Sequence, residues 1–137
     1  MNALLPLSEL ETIAMGPRKF LIAFLILILT PASAFAGKAD VIDVKISKES
    51  SGTFNFAVTL KSDETGWEKY ADKWEVLPPD DKILGTRTLL HPHEAELPFT
   101  RSLGGVKIPA SITSVRVRAH DKVEGYGGKE LTVEVPH

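Results

Sequence analysis

Reactive side chains are concentrated in the segment LLHPHEAELPFTRS, residues 89–102. His91 and His93 stand one residue apart, Glu94 and Glu96 follow, and Arg101 closes the set. Pro92 fixes its own φ and pushes His91 into an extended conformation. In an extended chain residues i and i+2 project from the same side. Both imidazoles can then meet one copper or zinc ion, with Glu94 or Glu96 as a carboxylate ligand. Two ligands make a weak site, and the third donor on offer is His120, next to Asp121. A metal site therefore requires the strand bearing His120 to end beside His93. The plainer alternative is a rigid turn at a strand exit, its imidazoles bonded to backbone carbonyls or facing solvent.

Arg101 has carboxylates as sequence neighbours, so the expectation is a forked pair with Glu94 or Glu96 that acts as a structural clasp. Reception of an anionic ligand is the alternative. The aromatic candidates are Trp67 and Tyr70 in GWEKYADKW and Tyr126 in EGYGG. Loop aromatics make binding platforms because they bury much area at little entropic cost. Trp67 and Tyr70 would otherwise close the open end of a core as a lid, whereas Tyr126, set among glycines, is expected to be the most exposed.

Catalysis is not expected. A serine triad would need Ser102 or Ser111 with His120, and neither serine sits in a nucleophile elbow. The acids are scattered on polar strand faces rather than set against each other across a groove.

The elements that must position these residues read as strands. Ile42, Val44 and Ile46 alternate with polar residues. Phe54, Phe56, Val58 and Leu60 do so in TFNFAVTLK, as do Trp74 and Val76 in DKWEVL, Val115, Val117 and Ala119 in SITSVRVRAHD, and Leu131, Val133 and Val135 near the end. This is the period of strands with one buried face. KESSG, PPDDKILG and VEGYGG supply turns between them. About seven short strands without a helical stretch predict an all-β, antiparallel β-sandwich of immunoglobulin or fibronectin type III kind; a closed barrel is the alternative.

The fold is expected over residues 37–137 alone. Arg18 and Lys19 precede the apolar run FLIAFLILIL, residues 20–29, and TPASAFAG follows. That is the plan of a secretory signal peptide over residues 15–36, cleaved between Ala36 and Gly37. The apolar run is shorter than the roughly 20 residues a spanning helix needs, so no stable membrane span is expected after cleavage. Residues 1–14 are acidic and unlike the start of an export signal, which predicts that Met15 is the true start.

The chain has no cysteine, hence no disulfide, thiol nucleophile, thiolate metal site or cysteine for lipid attachment. The leader holds as many acids (Glu9, Glu11) as bases, so residues 37–137 keep the net charge of −2. That balance gives no basic surface for nucleic acid.

The sequence also resembles a group of small exported proteobacterial proteins of uncharacterised function. The likeness rests on Gly66-Trp67, Tyr70-Ala71-Asp72, His91-Pro92-His93, Pro98-Phe99-Thr100-Arg101-Ser102 and Gly125-Tyr126-Gly127-Gly128. One departure is Pro79-Asp80-Asp81, where the group has an aspartate–glycine turn. The resemblance implies export and a compact β domain. The resulting expectation is a periplasmic or secreted, non-catalytic domain that binds a protein or small ligand through one end, where HPHEAELPFTR, GWEKY and EGYGG cluster. A periplasmic copper or zinc protein is the alternative.

Overall fold

A computed structural model describes residues 37–137. The signal peptide, the start at Met15 and the cleavage after Ala36 lie outside the described residues. Seven strands follow in order: β1 Asp40–Lys48, β2 Phe54–Lys61, β3 Ala71–Leu77, β4 Gly85–Thr88, β5 Phe99–Val106, β6 Ser114–Asp121 and β7 Leu131–Glu134. They form two antiparallel sheets, ordered β1-β2-β5 and β4-β3-β6-β7. Among the described residues no strand is hydrogen-bonded across the two sheets, so the architecture is a sandwich and not the closed barrel. The fourth strand joins the β3-β6-β7 sheet, unlike the immunoglobulin constant arrangement, which places it beside the first, second and fifth strands.

The core forms where the two alternating patterns meet. Phe54, Phe56, Val58 and Leu60 of β2 pack with Trp74 and Val76 of β3 and with Val115, Val117 and Ala119 of β6, all buried. Each large apolar side chain of this kind contributes roughly 1.5–3 kcal/mol when taken from water. In a chain without disulfides this burial is the main source of stability.

Strand β1 departs from simple alternation. Its pairing with β2 slips between Val41 and Asp43, so Val41 is fully buried while Ile42 is turned outward. Beyond the slip, Val44 and Ile46 return to the core. One extra residue in a strand reverses the faces that follow it, which is why the expected inward position of Ile42 fails.

In β5, Gly104 and Gly105 occupy a second irregularity opposite β2, with Gly105 at φ 70°. In the β3–β4 turn Asp81 takes φ 62° and its N–H bonds to the Pro78 carbonyl at 3.0 Å. Aspartate is one of the few residues that tolerates this left-handed conformation, so Asp81 fills the place that glycine holds in an aspartate–glycine turn.

The antiparallel order carries residues 62–70, 89–98 and 122–130 to one end of the sandwich, with the chain entry at Gly37. Residues 49–53, 78–84 and 107–113 make the opposite end.

Candidate functional site

The first group of loops gathers the candidate residues at one end, and three acidic side chains hold the loops together. Glu64, in the β2–β3 loop, accepts the Ser62 hydroxyl and the Ala71 N–H on one carboxylate oxygen, and the His93 N–H at 2.6 Å on the other. It fastens the histidine loop to the tryptophan loop. Asp121 ends β6. One of its oxygens accepts the Val123 and Glu124 N–H groups at 2.8 and 2.9 Å, which closes the glycine turn, while the other meets Lys69 at 2.8 Å. Burial raises the Asp121 carboxyl, but Lys69 and the two N–H groups outweigh it and hold it below its ordinary range. Asp40 accepts the Lys129 N–H at 2.7 Å and ties the end of this turn to β1. Gly128 passes so near β1 that a Cβ would lie 1.9 Å from the Ala39 carbonyl oxygen.

The two histidines of the 89–98 loop have different surroundings. His91 is exposed, its Nδ1 3.0 Å from the Pro92 carbonyl. His93 is only 3% exposed and stacks on Phe99 with ring centroids 4.0 Å apart and planes 14° from parallel. Burial first, and then the charges of Arg101 and His91, pushes the His93 ring below the ordinary histidine value, against the opposing pull of Glu64 and Glu96. The two imidazoles lie 4.5 Å apart, as the extended His-Pro-His spacing predicts.

His120 does not join them. Its Nδ1 lies 2.6 Å from Asp72 and its ring packs edge-on against Tyr126 at 4.7 Å. Among the described residues no three metal-binding side chains come together. The expected convergence of His91, His93 and His120 is thus absent, because β3 lies between β4 and β6 and separates the strand ends that carry them.

Arg101 pairs with Glu96, one of the two expected acids, through a single contact and not the expected fork, since its Nη1 donates to the Thr100 carbonyl. Arg101 Nη2 meets Glu96 at 3.0 Å, while Glu94 is exposed. The aromatics also differ from expectation. Trp67 is 64% exposed and stands edge-to-face with half-buried Tyr70 at 6.1 Å, so Trp67 is not a lid on the core. His93, lying on Phe99, takes that position.

Tyr126 is less free than its glycine neighbours suggest. Its hydroxyl donates to Glu75, and its ring lies 4.1 Å from the Arg118 guanidinium and 5.7 Å from the Lys73 ammonium. Glu75 sits on the outer, polar face of β3 and is nevertheless fully buried beneath this tyrosine.

Between this end and the neighbouring strand edges opens a cleft of about 240 Å³ lined by Arg87, Thr88, Leu89, Leu90, His91, His93 and Arg101. Sequence reasoning missed Glu64, Glu75 and Arg87. Glu64 and Glu75 sit at positions where acids are usually solvated. Arg87 had a signal, since it follows Gly85 in the inward phase of a short strand.

Over 97 residues the chain is 40% identical to a protein of Halomicrobium mukohataei named "Putative lipoprotein". The match covers 71% of this chain and 47% of that protein. The chain therefore spans about half the length of the curated relative it matches. No protein-family model and no solved structure matches it. Among the described residues no helix is long and apolar enough to cross a membrane.

Proposed function

We propose that the chain is an exported, non-catalytic β-sandwich domain that binds a protein or small ligand through the end formed by residues 62–70, 89–98 and 122–130. The observation that supports this reading most is that the three loops carrying the candidate residues are cross-linked into one surface by Glu64, Lys69 and Asp121. Loops held on a rigid scaffold are the usual place for recognition. Trp67, Leu90 and Val123 are exposed there, and large exposed apolar side chains are what a binding partner can cover.

Export draws support from the leader-like residues 15–36 and from the name of the archaeal relative. These 137 residues contain no cysteine to acylate. Glu64 and Asp121 serve in loop fastening, which favours binding over catalysis.

A photo-crosslinking residue placed at Trp67 or Leu90, and for comparison at exposed Ile83 on the opposite end, tests the reading in cells that export the protein. Adducts of defined mass from positions 67 and 90 alone are expected. Adducts from position 83 alone would refute it.

The copper or zinc reading keeps one favourable observation, the 4.5 Å separation of the His91 and His93 rings. Titration with Cu²⁺ and Zn²⁺ of the protein and of its His91→Ala/His93→Ala double variant decides it. Tight binding lost in the double variant would establish that reading.

A further inference from the structure

The edge strands β4 and β5 both break the apolar-inside rule, and they do so at the seam between the sheets. Arg87 pairs in register with buried Trp74, and Arg101 with buried Val58. Residues directly opposite on neighbouring strands share a face. Both arginines therefore occupy inward-facing positions, one on each sheet, and both line the cleft.

Their hydrogen-bonding capacity is only partly used. Arg87 Nη1 donates to the Ser102 carbonyl at 3.1 Å, while its buried Nε has no partner among the described residues. Nδ1 of buried His93 also lacks a partner among them. Arg101 has Glu96 as its counter-charge, a side chain 56% exposed. The other nearby acid, Glu64, already accepts Ser62, Ala71 and His93. The cleft is thus lined by two permanent cations and two imidazoles, and the counter-charge of Arg101, Glu96, is solvated.

We propose that this cleft is a binding site for a small oxyanion, a carboxylate or a phosphate group, held by Arg87 and Arg101 with His91 and His93 at its margin. A guanidinium presents paired N–H donors in the geometry of both groups. Charges partly removed from water attract an anion more strongly than exposed ones. Burial is the main cause of the lowered His93 value, and the charges of Arg101 and His91 add to it against Glu64 and Glu96. Exposed Leu90 at the rim suits an acid with an apolar body, which makes benzoate a natural carboxylate probe. Inward charges on edge strands also deter pairing with other chains, and in that role alone they hold no ligand.

The inference rests on the loop end being the binding face. Crosslinking from positions 67 and 90 does not depend on the arginines, so loss of the oxyanion site leaves the binding-face reading standing and the two failures are told apart. The test is titration of the purified protein with inorganic phosphate and, separately, with benzoate, followed through the imidazole proton resonances of His91 and His93. Saturable shifts with at least one probe are expected, with a raised His93 pKa in the complex. Saturation by phosphate alone identifies a phosphate site, and saturation by benzoate alone a carboxylate site.

Arg87→Gln and Arg101→Gln should each weaken binding at least about tenfold. Arg101→Gln changes a half-exposed side chain, so it remains usable should Arg87→Gln fail to fold. No saturable shift with either probe, or undiminished affinity in Arg101→Gln, would overturn the proposal and leave the two arginines as guards of the sheet edges.

Discussion

At the end formed by residues 49–53, 78–84 and 107–113 the chain turns back by short-range backbone bonds: Glu49 to Thr53, Asp81 to Pro78 and Ile112 to Pro109. At the other end the bonds run between loops distant in sequence, from Glu64 to His93, Lys69 to Asp121 and Lys129 to Asp40. The first end also has long-range contacts, Glu49 to the Gly105 N–H and Arg116 to Asp81, but these are exposed, as Lys129 to Asp40 is, whereas Glu64 to His93 and Lys69 to Asp121 are partly buried. The difference is one of how order is achieved. Turns closed by bonds within one loop are specified locally, whereas the longer loops of the other end are also held by acids and donors that only the packing of the two sheets brings together. Order of the second kind leaves polar groups partly desolvated and aimed at one another, which is what a recognition surface needs.

Substitutions can probe this contrast against a common scale. The scale is set by Phe56→Ala in the core that both ends share, expected to cost about 3–5 kcal/mol in urea melts, with Thr59→Ala on the outer, half-buried face of the same strand well under about 1 kcal/mol. Equal effects would show that the faces of β2 are misassigned.

Glycine comes next. Gly128→Ala places a Cβ 1.9 Å from the Ala39 carbonyl oxygen and should cost about 3 kcal/mol or more through forced backbone movement. Gly52→Ala, in the β1–β2 turn at φ 86° with open space around it, should cost about 1–2 kcal/mol for the left-handed conformation alone. A smaller loss at Gly128 would mean that the glycine turn is not packed on β1.

Removing the fastening acid of the loop end, Glu64→Ala, leaves the Ala71 and His93 N–H groups without their acceptor and should cost about 2 kcal/mol. Faster amide exchange at His93 should accompany it. Unchanged exchange there would show that the loops are ordered independently of one another.

The loop end should also respond to acid. The His93 ring, lowered by burial and then by Arg101 and His91 from an ordinary value of 6.5, binds fewer protons folded than unfolded. Its effect on stability is absent well above that value and grows as pH falls from it toward the lower folded value. Asp121, also lowered, loses its stabilisation only as pH falls below its ordinary 3.8. Urea melts between about pH 8 and about pH 5 should therefore show a loss on acidification that His93→Leu reduces. An identical profile in that variant would refute the assignment.

Least of all, Trp67→Ala and Ile83→Ala should each change stability by no more than about 0.5 kcal/mol, as surface changes at opposite ends. A large loss at Trp67 would mean that it supports the core after all.

The strands were legible because alternation is a local property. TFNFAVTLK and SITSVRVRAHD display their faces residue by residue, and β2 and β6 bury Phe56, Val58, Val115 and Val117 as read. Alternation failed at Ile42 because a slip in pairing with β2 is not written in either strand alone. The juxtaposition of His91 and His93 was legible from the proline between them, yet the burial of His93 under the loop and against Phe99 was not. Glu75 reads as a solvated strand acid, and only the return of Tyr126 from the glycine turn covers it.

The sequence by itself determined the all-β composition, which faces of most strands turn inward, and the positions of the turns, since each depends on residues a few places apart. Tertiary structure alone decided that β3 separates His120 from His93, that Glu64 and Asp121 join distant loops, and that Arg87 and Arg101 meet at one seam. The physical reason is that backbone periodicity assigns a side chain to a face, while its neighbours across that face are assigned by strand pairing and sheet packing between segments far apart along the chain.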